Sequence, residues 1–250
     1  MSLKLRALGL GLIAAAAMSA VAIMTTINAA TTTTAVAKTG GHFVTDDPSG
    51  HTILKGEDKL ANTPIFLDHH NKEAKVFCKK DLKYHGTITA QTVTELTLTP
   101  TISTEDECVA EITIGGGKQT FTAHIDMNGC DFVFTIGETF NEHNTTHLKC
   151  PAGNDVRVTV TGLFGSTCTI TIKPQTPAIG TALHKGTDER ELTLKPTLEG
   201  IHAEYLGGEL ACGAPNGTTT TKGTLNARIS VKAFDTAGKQ WSIKATGSKD

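Results

Sequence analysis

Apolar side chains recur at every second position in about ten short stretches of this chain, the period of half-buried β-strands. Phe132, Phe134 and Ile136 alternate with Val133 and Thr135, and Val156, Val158 and Val160 alternate with Arg157, Thr159 and Thr161. The same pattern predicts strands over 76–79, 87–90, 92–99, 108–114, 120–127, 155–161, 167–173, 191–195, 219–233 and 240–245. Beyond the first thirty residues no segment carries a 3.6-residue period. The expected fold is all-β: a disulfide-stapled β-sandwich or two linked smaller ones, with two small barrels as the alternative.

The most informative stretch runs from Met127 to Gly153. A polar run, 137–147, separates the Phe132–Ile136 strand from a second one carrying Leu148 and Cys150. Folding the stretch about position 140 sets Cys130 opposite Cys150 and Phe132 opposite Leu148. Alternation then puts all four side chains on one face, so a disulfide there would lie on the core side. The other strands read as arranged about this stapled hairpin.

The N-terminus changes the picture. Lys4 and Arg6 precede an apolar run from Ala7 to Met24, and small and polar residues follow, the order of a secretory signal peptide. Cleavage sites are expected after Ala22, Ala30 or Ala37; an uncleaved signal anchor is the alternative. The resulting division is 1–30 signal peptide, 31–41 flexible leader, 42–75 loosely structured or edge-strand segment, 76–162 first β half and 163–250 second β half. Removing Lys4 and Arg6 leaves 21 basic residues against 25 acidic ones, a net charge of −4. No basic patch stands out, so nucleic acid is not an expected partner. No membrane span is expected once the signal is removed.

Export implies an oxidising compartment, and the six cysteines, Cys78, Cys108, Cys130, Cys150, Cys168 and Cys212, are read as three disulfides. Fifteen connectivities are possible on paper. Hairpin register favours Cys130–Cys150. A weak internal repeat bears on the other four. Glu95-Leu-Thr-Leu-Thr-Pro-Thr101 returns as Glu191-Leu-Thr-Leu-Lys-Pro-Thr197, and Thr120-Phe-Thr-Ala-His-Ile125 returns as Thr224-Leu-Asn-Ala-Arg-Ile229. A duplication would make Cys78–Cys108 and Cys168–Cys212 equivalent bridges. Convergence among Thr-rich strands would give the same similarity, since 42 of the 250 residues are Thr.

Asn128-Gly129-Cys130, Cys150-Pro151 and Cys168 within a Thr/Ile strand resemble a pattern in secreted six-cysteine all-β proteins of high-GC Gram-positive bacteria. The resemblance implies an exported bacterial β-protein and brings no catalytic residue with it.

Candidate chemistry is sparse. His143 and His147, with Glu138 and Glu142 nearby, could hold a divalent metal at the tip of the stapled loop. Their i, i+4 spacing suits a helix better than a hairpin tip, so a solvated loop is the expectation and no cofactor is predicted. Asp68-His69-His70 is a second such cluster. Asp126-Met-Asn-Gly129 lacks the remaining ligands of a calcium loop and reads as an Asn-Gly turn. No nucleophile elbow or Walker spacing is present. Trp241 is in phase with Ile243 and is expected to face the core rather than a sugar. The leading reading is a secreted, cell-surface or envelope-associated non-enzymatic module, binding or structural, whose partner is an extracellular or envelope ligand of unknown identity. The alternative is a secreted hydrolase, metal-assisted, built from scattered His and acidic residues.

Overall fold

A computed structural model describes residues 40–59, 65–69, 72–80, 82–102, 107–114, 116–137, 144–176, 181–185, 190–207 and 212–247. The expected signal peptide and most of the expected leader, 1–39, lie outside the described residues. What is described is nearly all β, as the alternation predicts. No helix among the described residues is long and apolar enough to cross a membrane.

Four antiparallel hairpins follow one another along the chain: β3–β4 (Ile65–His69, Lys72–Cys78), β8–β9 (Cys108–Ile114, Gly117–Asp126), β12–β13 (Val156–Thr161, Thr167–Ile172) and β15–β16 (Glu191–Gly207, Thr218–Asn226). Each pairs with the next, and β16 returns to β3 through Leu225 opposite Ile65, so the ladder closes on itself. The result is an eight-stranded up-and-down barrel in chain order. Closure leaves these strands without a free edge. Val76, Ala110, Ile125, Val158, Ile170, Ala203 and Tyr205 fill the interior.

All connections between successive hairpins leave from the same end of the barrel, and they build the second part of the fold. The excursions supply β5 (Lys83–Ile88), β7 (Glu95–Thr101), β10 (Asp131–Thr135), β11 (Thr145–Lys149) and β14 (Thr181–Lys185), while the chain before β3 supplies β2 (Thr52–Asp58) and the chain after β16 supplies β17 (Ile229–Phe234). They form a sheet in the order β11-β10-β7-β5-β2-β17-β15-β14, using residues 191–196 at the start of β15, with β18 (Gln240–Trp241) on β17. A three-stranded sheet, β19 (Ile243–Thr246), β1 (His42–Thr45) and β6 (Thr92–Val93), belongs to the same hydrophobic cluster. Phe43, Leu54, Leu96, Leu98, Phe134, Leu192, Leu194 and Val231 pack in this sandwich-like core. The two cores are therefore interleaved along the chain, and β15 runs through both. Position 162/163 falls in the turn of the β12–β13 hairpin, so the cores do not follow the two successive halves.

The repeated Glu-Leu-Thr-Leu segments occupy matching places: Leu96 and Leu98 of β7, and Leu192 and Leu194 of β15, are buried in the sandwich core. The other repeated pair does not match. Thr120–Ile125 lies within β9, whereas Thr224–Ile229 spans the end of β16, Ala227, Arg228 and the start of β17. Segment 42–75, expected to be loose or an edge, contains β1, β2, β3 and the start of β4, and β2 is an inner strand between β17 and β5. Its inward positions are Thr52, Leu54, Gly56 and Asp58, so burial alternates where hydropathy does not.

The disulfides are Cys78–Cys108, Cys130–Cys150 and Cys168–Cys212. Cys78 and Cys108 face each other across β4 and β8, pinching the base of the β5–β7 excursion. Cys130 and Cys150 do the same for β10–β11. Cys168 and Cys212 tie β13 to the segment after β15.

A candidate binding cavity at the junction of the two cores

Where the excursions leave the barrel, side chains from both cores surround a cavity of about 70 Å³. Barrel strands contribute Val76, Ile125, Val156, Ile172, Leu198, Ile201 and Leu225; the excursions contribute Leu82, Tyr84, Pro100, Ile102, Phe132 and Leu148. The stapled hairpin forms one wall. Phe132 and Leu148 are direct cross-strand partners, the register that places Cys130 and Cys150 side by side. At its root, Asn128 and Gly129 both take positive φ, +48° and +75°, and Cys130 N–H donates to the Met127 carbonyl at 2.7 Å. This is the tight Asn-Gly turn expected from sequence. The Asp126 carboxylate accepts from Asn128 N–H at 2.9 Å, holding the turn rather than standing open for a cation.

Gln175 closes another side and is knitted to its surroundings. Its backbone exchanges two hydrogen bonds with Leu148, at 2.9 and 3.1 Å. Its amide oxygen accepts from His202 N–H at 2.8 Å, and its amide nitrogen donates to the carbonyls of Lys173 and His202, both at 3.0 Å. Tyr84 is the other polar side chain among the described lining residues. Burial, then the nearby charge of Asp58, pushes its phenol well above the ordinary value, so it stays protonated and neutral.

Of the four predicted metal residues His147 is the one among the described residues, and it does not line this cavity. Glu138, Glu142 and His143 lie outside the described residues. His147 sits on β11, away from the cavity lining, in a shallow groove with Glu95 and Thr176. Its Nδ1 is 2.7 Å from Thr176 Oγ1 and its Nε2 is 3.1 Å from Thr145 Oγ1. Both ring nitrogens are thus engaged by threonine hydroxyls. Asp68 and His69 lie on β3, and His70 lies outside the described residues. Among the described residues no three His, Cys, Asp or Glu side chains gather as a metal site would require.

Trp241 is half-buried rather than a core residue. Its Nε1–H donates to Asp235 Oδ2 at 3.1 Å, and the Lys239 ammonium lies 3.9 Å from the ring centroid. The Lys239 N–H, then Trp241, hold the Asp235 carboxyl below its ordinary value, outweighing partial desolvation. A carboxylate so held stabilises the fold above the unfolded value of about 3.9. That contribution fades as pH falls through the folded value. Urea unfolding should therefore show wild type more stable than Asp235→Asn near neutral pH, with the gap closing below about pH 4. A gap independent of pH would contradict this assignment.

No family model matches the chain, and no curated protein or solved structure matches it. The cavity has no local signature in the sequence, because its lining is scattered over most of the barrel and four excursion segments. The one legible clue was the Phe132–Leu148 pairing in the stapled hairpin.

Proposed function

We propose that this chain is an exported module, secreted or held at the cell surface or envelope, that works by binding and not by catalysis. The cavity at the junction of the two cores carries the reading. It is concave, built from both parts of the fold, and lined with hydrocarbon, the character of a small-ligand site. Three disulfides support an oxidising compartment. The tripartite N-terminus and the resemblance to exported six-cysteine proteins of high-GC Gram-positive bacteria support the same address. A net charge of −4 after signal removal argues against a nucleic-acid partner.

The address is tested by intact mass of the protein recovered from outside the cytoplasm. The expected N-terminus falls between Ile23 and Lys38. A full-length chain confined to the cytoplasm would contradict export, and a full-length chain retained in the membrane would replace the cleaved signal with an anchor.

A further inference from the structure

The cavity has physical features that narrow the class of its ligand, an inference that rests on the binding reading just given. Its volume, about 70 Å³, is several times the roughly 10–15 Å³ that one ordered water occupies on the same measure. Water needs two to four polar partners to settle in such a space. Here the Gln175 amide is already committed to the backbone of Lys173 and His202, which leaves the Tyr84 phenol as the remaining polar side chain on the described lining. A water cluster would give up hydrogen bonds on entering, whereas an alkyl group gives up none.

Charge narrows the class further. No described lining residue is ionised, and the charge that acts on Tyr84, that of buried Asp58, is negative. An anionic headgroup brought beside Tyr84 would be both desolvated and repelled. Leu82, Ile102, Met127 and Phe132 are only partly buried, so one side of the cavity reaches the surface between the excursions. We propose that this cavity binds a neutral, mainly hydrocarbon molecule, a short alkyl chain or a single ring, through the opening beside Ile102 and Met127.

Saturation-transfer NMR on the purified full chain or its exported form, with 1-hexanol as the probe, tests the proposal. Transfer to the methylene and methyl protons of 1-hexanol is expected. Two variants fill the cavity from different sides, Met127→Trp at the half-buried rim and Ile172→Phe from the barrel. Each folded variant should bind about tenfold more weakly or worse. Phe164→Ser should bind as wild type, because Phe164 is a 98% exposed residue in the β12–β13 turn at the opposite end of the barrel. Hexanoate at neutral pH should also bind about tenfold more weakly than 1-hexanol. The proposal is overturned by absence of transfer in wild type, by undiminished transfer in both filled variants, or by hexanoate binding as well as the alcohol. Binding is read on purified protein whatever its compartment. A negative result would therefore leave export standing, and a failure of export would leave the cavity result standing.

Discussion

Full reduction of the three disulfides should unfold the protein in dilute buffer at room temperature. The bridges close loops of 20, 30 and 44 residues. On the chain-entropy account each restricts the unfolded chain by about 3–4 kcal/mol. Together that is on the order of 10 kcal/mol, as large as the typical net stability of about 5–15 kcal/mol. Position reinforces the argument, since two bridges pinch the bases of excursions that would otherwise be long, floppy insertions between barrel strands. Far-UV circular dichroism with and without a phosphine reductant is the measurement. Loss of the strand signal is expected; a reduced protein that melts within a few degrees of the oxidised one would contradict the role assigned to the bridges. Replacing only Cys130 and Cys150 by Ala should cost about 3 kcal/mol and keep the fold class, because the β10–β11 pairing and β10's ladder to β7 survive.

Tyr205→Ala should be the most damaging single substitution in the barrel, at about 3–5 kcal/mol. Tyr205 is the largest fully buried side chain of the described fold, at 1% exposure. It sits on β15 between Ile170 of β13 and Thr218 of β16, where no neighbour can move in without breaking two ladders. The same strand runs on into the sandwich core through Leu192 and Leu194. The damage should therefore be felt in both cores. Trp241, the single tryptophan, reports on the sandwich side through its pairing with Ala233 of β17. In the variant its fluorescence should change at the same, lowered urea concentration as the far-UV signal. Trp241 fluorescence that keeps the wild-type midpoint while the far-UV signal falls earlier would show that β15 does not couple the two cores.

Strands with apolar inward positions were legible in the sequence. Cys108–Ile114 is the strand its alternation predicts, and Thr167–Ile172 and Val156–Thr161 differ from their predicted bounds by one residue. What hid the rest was chemistry that departs from simple alternation. In β2 the buried positions include Thr52 and Asp58, both of which belong to polar networks: Thr52 Oγ1 donates to Asp47 Oδ2 at 3.1 Å, and Asp58 Oδ1 accepts from Arg228 N–H at 3.5 Å. In β15 a bulge at Gly200, φ +77°, shifts the phase between Leu198 and Ile201, so 17 residues of strand read as only the five over 191–195. The opposite error arose over 219–233, where Ala227 and Arg228 break one predicted strand into β16 and β17 and carry the chain from one core to the other. Barrel closure was beyond local pattern, because it depends on β3 meeting β16 across some 160 residues of sequence. The disulfide of the stapled hairpin was legible for the converse reason: loop symmetry fixes its register within 20 residues.

That closure also builds the barrel side of the apolar cavity at the junction with the excursions, since Leu225 of β16, paired with Leu198 of β15 and Ile65 of β3, lines it. Cross-strand nuclear Overhauser contacts between β16 and β3 test it most directly. The closed barrel predicts backbone cross-peaks linking Leu225 to Ile65 and Thr224 to Phe66, alongside those linking Leu225 to Leu198. If the β15 cross-peaks appear while both β3 cross-peaks are absent, β16 is a free edge and the closed-barrel account is wrong.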